Sequence, residues 1–473
     1  MDSKASNTRE LMDINNLKYE EPAELALVES GGVFKKNNAD QQIYSSSSGT
    51  EIIVNLQSST DFIYGPNSYL RFDVKADGAT VPTPSSDNAG LGFLNSTAVS
   101  LFERFLLEDK SGAEVERIEQ INKAVKACLP WKYSEDYRRT AEMAGQTFSR
   151  SATPNTTLIA NLALNENENG GTTANGRYVR VCIPLWYFSG LFKEETLLPP
   201  QLISGMRFRL SLAPAKEALS VICYGGAAQP VVDDSALSYT ISDPVIVLDS
   251  YSLALSVQRN IQEQSQGEMG LPYTYNTLYY QSGNAGTSTA FVQQVNKAVA
   301  RAQKMWTQTQ NPTIAESVNT SNLGAATLSY FQYQSRIGNW YGPLQTLQLG
   351  NDDSVAGVRR NCSELYINNL QCSQADVCGM CMPSGICDPY HCPSVSVNDF
   401  RAVASGNSSD AVLIQNLNQS PHIGQSGLAV NNSRTAEIRL RYASDDVNPK
   451  QVQTWLEYVK VASVYPSRSV IKQ

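Results

Sequence analysis

The strongest constraint on the fold is a period of two that returns along the whole chain. Ile52, Val54 and Leu56 alternate with Glu51, Ile53 and Asn55, and Leu70, Phe72 and Val74 alternate with Arg71, Asp73 and Lys75. Met206, Phe208, Leu210 and Leu212 are interleaved with Arg207, Arg209 and Ser211. Tyr251, Leu253, Leu255 and Val257 repeat the pattern after the continuous run Val245-Ile246-Val247-Leu248, and Ala436, Ile438, Leu440 and Tyr442 repeat it near the end. Alternation puts one set of side chains on one face, as in a half-buried strand. The stretch from Trp455 to Val464 is apolar on both faces, which predicts a strand buried between layers.

Long polar gaps rich in Gly, Ser, Asn and Pro separate these segments: Pro82 to Gly92, Asn165 to Gly176, Tyr224 to Ser235 and Asn407 to Ser426, with a shorter turn at Asp77-Gly78. Charged residues are only 17% of the chain, against about a quarter in ordinary soluble proteins, and small polar residues take their place. This disfavours coiled coils and helical repeats. Helical spacing is confined to Ile118 to Leu129 and to Phe291, Val295, Ala298, Val299, Ala302 and Trp306, each predicted as a helix. Ile121-Asn122-Lys123-Ala124-Val125 and Val295-Asn296-Lys297-Ala298-Val299, each followed by a Trp, are compatible with an internal duplication.

At 473 residues the chain suits two large β domains as well as three small ones, since all-β domains often reach about 200–250 residues. Residues 1–44 carry five Lys/Arg against eight Asp/Glu and lead into Ser45-Ser46-Ser47-Ser48-Gly49, so they are expected to form an N-terminal arm. A net charge of -8 counts against direct nucleic-acid binding. No run of 18 apolar residues predicts a transmembrane helix, and the polar start predicts no signal peptide.

Chemistry-bearing motifs are few. The only histidines are His391 and His422, and there is no phosphate-loop, H-E-x-x-H or G-x-S-x-G pattern, so no enzymatic activity, catalytic residue or cofactor is expected. Cys372, Cys378, Cys381, Cys387 and Cys392 crowd together beside His391. Cys378-Gly379-Met380-Cys381 has the spacing of half a zinc site, but a second such pair is missing; disulfides and free reduced thiols remain open, and no metal site is assigned. Nine cysteines leave at least one unpaired within a chain; Cys128, Cys182, Cys223 and Cys362 lie elsewhere, and Cys182 reads as a small buried hydrophobe. Sequons at Asn95, Asn155, Asn319, Asn361, Asn407, Asn418 and Asn431 are numerous, yet so are Asn, Ser and Thr. Asp233-Asp234, Asp352-Asp353 and Asp445-Asp446 read as solvated loop acids before calcium ligands. Lys35-Lys36 and Arg359-Arg360 are too short for a nucleic-acid patch.

Several passages taken in order resemble the double jelly-roll major capsid proteins of eukaryotic DNA viruses, a lineage that spans virophages, polinton-like viruses, giant dsDNA viruses and, more distantly, adenovirus hexons. Tyr69 to Val74 looks like an early strand of a first roll. Ser111 to Ile118 with Ile121-Asn122 is similar to a strand, Gly turn, strand and helix passage. Ile183-Pro184-Leu185 through Leu197-Leu198-Pro199-Pro200 and Met206 to Leu212 resembles another, and Tyr239 to Leu255 looks like the last strand of roll one. Tyr333 to Leu344, with Arg336, Gly338, Trp340, Tyr341 and Pro343, is the best local match, and Trp455 to Pro466 resembles the final strand of roll two. The Cys-dense segment 372–392 departs from the family.

The resemblance implies an all-β chain of two tandem eight-stranded jelly rolls with long loops and a few short helices: an arm at 1–44, a first roll at 45–258 and a second at 259–473. It further implies a homotrimer that tiles an icosahedral shell in the virion. Neighbouring capsomers and minor capsid and penton proteins would be its partners, with room for contact with an internal membrane. Most of the 23 tyrosines read as core filling, some as interface anchors. The rival readings are a secreted β-sandwich adhesin or glycan-binding module and a β-sandwich carbohydrate-active enzyme, the latter needing two carboxylates about 5–10 Å apart.

Overall fold

The computed structural model describes residues 28–46, 51–57, 61–78, 89–93, 98–124, 165–166, 175–176, 178–223, 235–267, 270–310, 312, 330–348, 413–417, 427–431, 434–442, 449–465 and 469–472. Sixteen of its strands form two eight-stranded units, to whose sheets the short strands Ile43–Ser45, Leu197–Leu198, Leu428–Val430 and Ser469–Lys472 add further pairings. The first comprises β1 (Val28–Asn38), β2 (Glu51–Asn55), β3 (Phe62–Asp77), β4 (Phe102–Glu108), β5 (Glu114–Glu119), β6 (Val179–Pro184), β7 (Arg207–Leu212) and β8 (Ser238–Leu253). The second comprises β9 (Leu271–Gly286), β10 (Ala290–Val295), β11 (Val299–Gln310), β12 (Tyr330–Ile337), β13 (Trp340–Gln348), β14 (Leu413–Asn416), β15 (Ala436–Tyr442) and β16 (Lys450–Val464). Helix α1 (Leu255–Ser265) joins them.

The sheet orders are β1-β8-β3-β6 and β2-β7-β4-β5 in the first unit, and β9-β16-β11-β14 and β10-β15-β12-β13 in the second. Adding eight to each label converts one plan into the other. Each unit is a jelly roll in which two antiparallel sheets face each other across one core. A small further sheet in the first unit pairs Ala89–Phe93 with Leu219–Cys223.

The alternating positions point inward as the period requires. Ile52 and Val54, Leu70, Phe72 and Val74, and Phe208 and Leu210 all lie in the first core, where Phe105 and Phe208 pack at 4.9 Å between ring centroids. Tyr239 is fully buried there, and its hydroxyl lies 2.7 Å from both the Leu101 and the Ala213 carbonyl oxygens. Ile438, Leu440 and Tyr442 line the second core with Met305 and Leu456. The stretch Trp455 to Val464 falls within β16 and is buried on both faces but for Val461, as expected.

Five readings need correction. Residues 28–38 and 43–45, within the segment read as an arm, are strands of the first roll: β1 pairs with β8 from Val28↔Leu253 to Asn38↔Val245, and Ile43–Ser45 continues along the same strand. The break expected at 258/259 falls inside α1. The Phe291–Trp306 segment is not a helix but the strands β10 and β11; a register shift between Ala302 and Lys304 moves apolar residues from one strand parity to the other, which mimics spacing of three and four. In the other predicted helix, Ile118 belongs to β5 and one helical turn occupies 121–124, while 125–129 lie outside the described residues. The paired Asn-Lys-Ala-Val motifs hold non-equivalent places, one after the fifth strand of its roll and the other between the second and third, so they are no relic of duplication.

The β12–β13 hairpin turns on Gly338-Asn339, since Ile337 pairs with Trp340. Gly338 has φ +58°, the left-handed value that primed two-residue turns require at this point.

Candidate functional site

The features that bear on function are a seam between the rolls and the faces left open around it. At the seam, β5, an edge strand of roll one, meets β9, an edge strand of roll two. The Val115 carbonyl accepts two hydrogen bonds from roll two, from the Tyr275 hydroxyl at 2.8 Å and from Lys460 Nζ at 3.1 Å. The Tyr273 hydroxyl reaches the Leu197 carbonyl at 3.3 Å. Tyr275, Ala462 and Val464 of roll two are counted within the core of roll one, so apolar packing is continuous across the join.

Two opposite charges are enclosed there. Glu116 is fully buried and accepts hydrogen bonds from Ser189 Oγ and, at 3.1 Å, from the Gly190 amide. Burial pushes its carboxyl above the ordinary value; the bonds from Ser189 and Gly190, the Thr277 hydroxyl and the Lys460 charge act the other way. Lys460 is 2% exposed and lies 3.9 Å from Glu114 Oε1. Burial lowers its ammonium, with Glu116 and Glu114 opposing. Lys460 therefore makes its direct contacts with Glu114 and the Val115 carbonyl and acts on Glu116 only as a nearby charge.

Backbone contact fixes the spacing. A Cβ at Gly190 would lie 1.7 Å from the Asn276 carbonyl oxygen, so no larger residue fits between the rolls at this point. None of this was visible in the sequence as a site. The available signal was a pair of charges, Glu457 and Lys460, inside an otherwise apolar strand.

The outer face of the β2-β7-β4-β5 sheet is laced by ion pairs. Glu51 receives Arg209 and, at 3.1 Å, Arg104, while Arg209 also holds Glu108 at 3.1 Å. Burial alone would raise the Glu51 carboxyl, but the two arginines outweigh it and hold it below its usual value. The corresponding sheet of roll two carries Glu437 with Arg439 at 3.2 Å and Arg336 at 4.0 Å.

The outer face of the β1-β8-β3-β6 sheet is different. The α1 helix covers one end through Val257 packed with Phe62 and Leu253. Beyond it Tyr64 and Tyr251 pack edge to face at 6.3 Å, and Phe34 meets Tyr69 at 6.3 Å. Phe34 is 53% exposed, Val33 51% and Ile43 63%. In the second roll the equivalent face carries Trp306 and Trp455, both wholly buried.

Of the residues singled out from sequence, Lys35 is paired with Asp61, and Asn431 is exposed, accepting a 3.0 Å bond from the Arg434 amide. Cys182 lies half-buried in β6, with burial raising its thiol. The cluster Cys372, Cys378, Cys381, Cys387 and Cys392, both histidines, the other six sequons, the three Asp pairs, Arg359-Arg360, Cys128 and Cys362 lie outside the described residues. Among the described residues no three His, Cys, Asp or Glu side chains converge on one point.

No protein-family model matches the chain, and no curated protein matches it in sequence. Solved structures do. The Faustovirus major capsid protein matches with a TM-score of 0.54 at 8% identity, covering 96% of this chain and 94% of its own. A chain of the Sputnik virophage matches with a TM-score of 0.54 at 9% identity, covering 97% and 91%. The mavirus major capsid protein matches with a TM-score of 0.50 at 10% identity, covering 96% and 92%. Near-complete coverage in both directions at such low identity establishes one thing: the chain has the double jelly-roll fold of these proteins, as the sequence resemblance implied.

Proposed function

We propose that the chain is a major capsid protein, a building block of an icosahedral viral shell, with no catalytic role. The observation that carries the reading is the repeated strand plan locked by a buried seam. Two like rolls held rigidly side by side are a third of a ring of six, so three chains close a pseudo-hexagonal capsomer that can tile a plane. Under this reading the first roll spans residues 28–253 and the second 271–472. In this reading the protein resides in the virion, and its partners are two further copies, neighbouring capsomers, and minor capsid and penton proteins.

Mass measurement by light scattering on the purified chain, with electron microscopy of the same sample, tests this. Three chains per particle with a hexagonal outline are expected. A monomer at all concentrations that forms neither trimers nor arrays refutes the reading.

A further inference from the structure

The inference rests on the capsomer reading and specifies its contact between chains. A closed ring of six similar rolls has six joins, three within chains and three between them. Within one chain the join brings the fifth strand of roll one, β5, against the first strand of roll two, β9. The matching pair between chains is the fifth strand of roll two, β13, and the first strand of roll one, β1.

The two first strands are in contrasting states. On β9, Tyr275 is fully buried and Leu271 and Tyr273 pack against the roll-one core. On β1, Val33 and Phe34 are more than half exposed, and among the described residues β1 pairs only with β8, leaving its other edge open. An open edge carrying apolar side chains is a pairing site that soluble monomers avoid.

A second observation lies beside it. Phe34 stands opposite Asp249, which is 1% exposed. Asp249 Oδ2 accepts bonds from Asn67 at 3.0 Å and Tyr251 at 3.1 Å, but the buried Oδ1 has no partner among the described residues. A buried carboxylate oxygen without a donor is costly, and a cation brought by a partner relieves that cost. The β12–β13 hairpin offers one: Arg336, with 34% of its side chain exposed, lies over the Tyr341 ring at 5.5 Å.

We propose that β1 of one copy docks against the β12–β13 hairpin of a second copy, repeating between chains the join that β9 and β5 make within one. The test uses the full chain. Phe34→Asp is expected to raise the concentration at which the trimer half-dissociates by at least about tenfold, as for a central aromatic anchor, while Phe34→Leu leaves it near wild type. A photoreactive benzophenone side chain at position 34, in mixed light and heavy chains, is expected to cross-link to residues 330–348 of another copy. That readout stands even if Phe34→Asp fails to fold. Wild-type trimers that are insensitive to Phe34→Asp, or cross-links that fall elsewhere, overturn the docking assignment alone. A wild-type chain that never trimerises overturns the capsomer reading beneath it.

Discussion

Replacing Lys460 by Met removes one charge from the seam and keeps the length of the side chain. The Val115 carbonyl does not become an orphan, because the Tyr275 hydroxyl still donates to it. The loss therefore reports mainly on Glu116, which stays buried with hydrogen bonds but without the Lys460 charge. Lys460 acts on Glu116 as a nearby charge, its ion pair being with Glu114, so its loss from beside a carboxyl that keeps its bonds to Ser189 and Gly190 is expected to cost about 1–3 kcal/mol at pH 8. The pH dependence has a definite sign. Glu116 titrates above its ordinary value in the folded chain, and losing Lys460 raises it further, since that charge acts to lower it. A carboxyl whose folded pKa is raised gives stability that is present below its unfolded pKa and is lost as pH rises through the folded one. The deficit of Lys460→Met thus shrinks on acidification toward the unfolded value, at up to about 1.4 kcal/mol per pH unit within the window. Urea unfolding at fixed chain concentration, at pH 8 and pH 5, measures both terms; the concentration is held because assembly itself stabilises. The double variant with Glu116→Gln should lose at least about 1 kcal/mol less than the sum of the singles. Additive losses with no change between the two pH values would refute electrostatic coupling across the seam.

Gly190→Ala sets a Cβ against the Asn276 carbonyl, where neither backbone can give way easily, and should cost about 3 kcal/mol in thermal or urea unfolding; a change under about 0.5 kcal/mol would mean that the rolls are free to move apart. Tyr239→Phe removes the hydroxyl donor from the Ala213 carbonyl inside the first core, while the Leu101 carbonyl keeps the Ala213 amide; a loss of about 1–2 kcal/mol is expected by the same assay, with the second roll unaffected. Glu51→Gln weakens a half-exposed ladder and should cost only about 1 kcal/mol at low salt, falling toward zero in 1 M NaCl; a larger, salt-independent loss would place the ladder in a desolvated contact.

The sequence announced most strands through alternation, and it failed where geometry breaks that rule. The β11 strand is buried on both faces over most of its length and shifts register between Ala302 and Lys304, so its apolar residues carry no single parity and imitate a helix. The β1 strand reads as Val-Glu-Ser-Gly-Gly-Val-Phe-Lys-Lys-Asn-Asn, a run with no apolar alternation, and it is a strand because the largely buried stretch of β8 from Val245 to Leu253 runs alongside it. Its Val33 and Phe34 stay more than half exposed, which gives them both the look of loop composition and the look of an interface.

The seam was illegible for another reason. Glu116 and Lys460 are separated by more than 300 positions; Glu116 alone reads as an ordinary surface charge on a strand, and Lys460 stands out in an apolar stretch with nothing beside it in sequence to mark what it faces. Only the closure of both rolls brings them into one buried volume, where Ser189, Gly190 and Thr277 complete the shell around the carboxylate. Burying a charge from each roll favours one register over its neighbours, because a slip of one residue turns Lys460 to the opposite face and leaves Glu116 enclosed without it. An apolar seam would tolerate several offsets. In the capsomer reading proposed above the particle could not, since an angular error inside the chain would be repeated at every subunit of the ring. On that reading the two buried groups and Gly190 serve to fix geometry, with Gly190 setting the distance between the rolls.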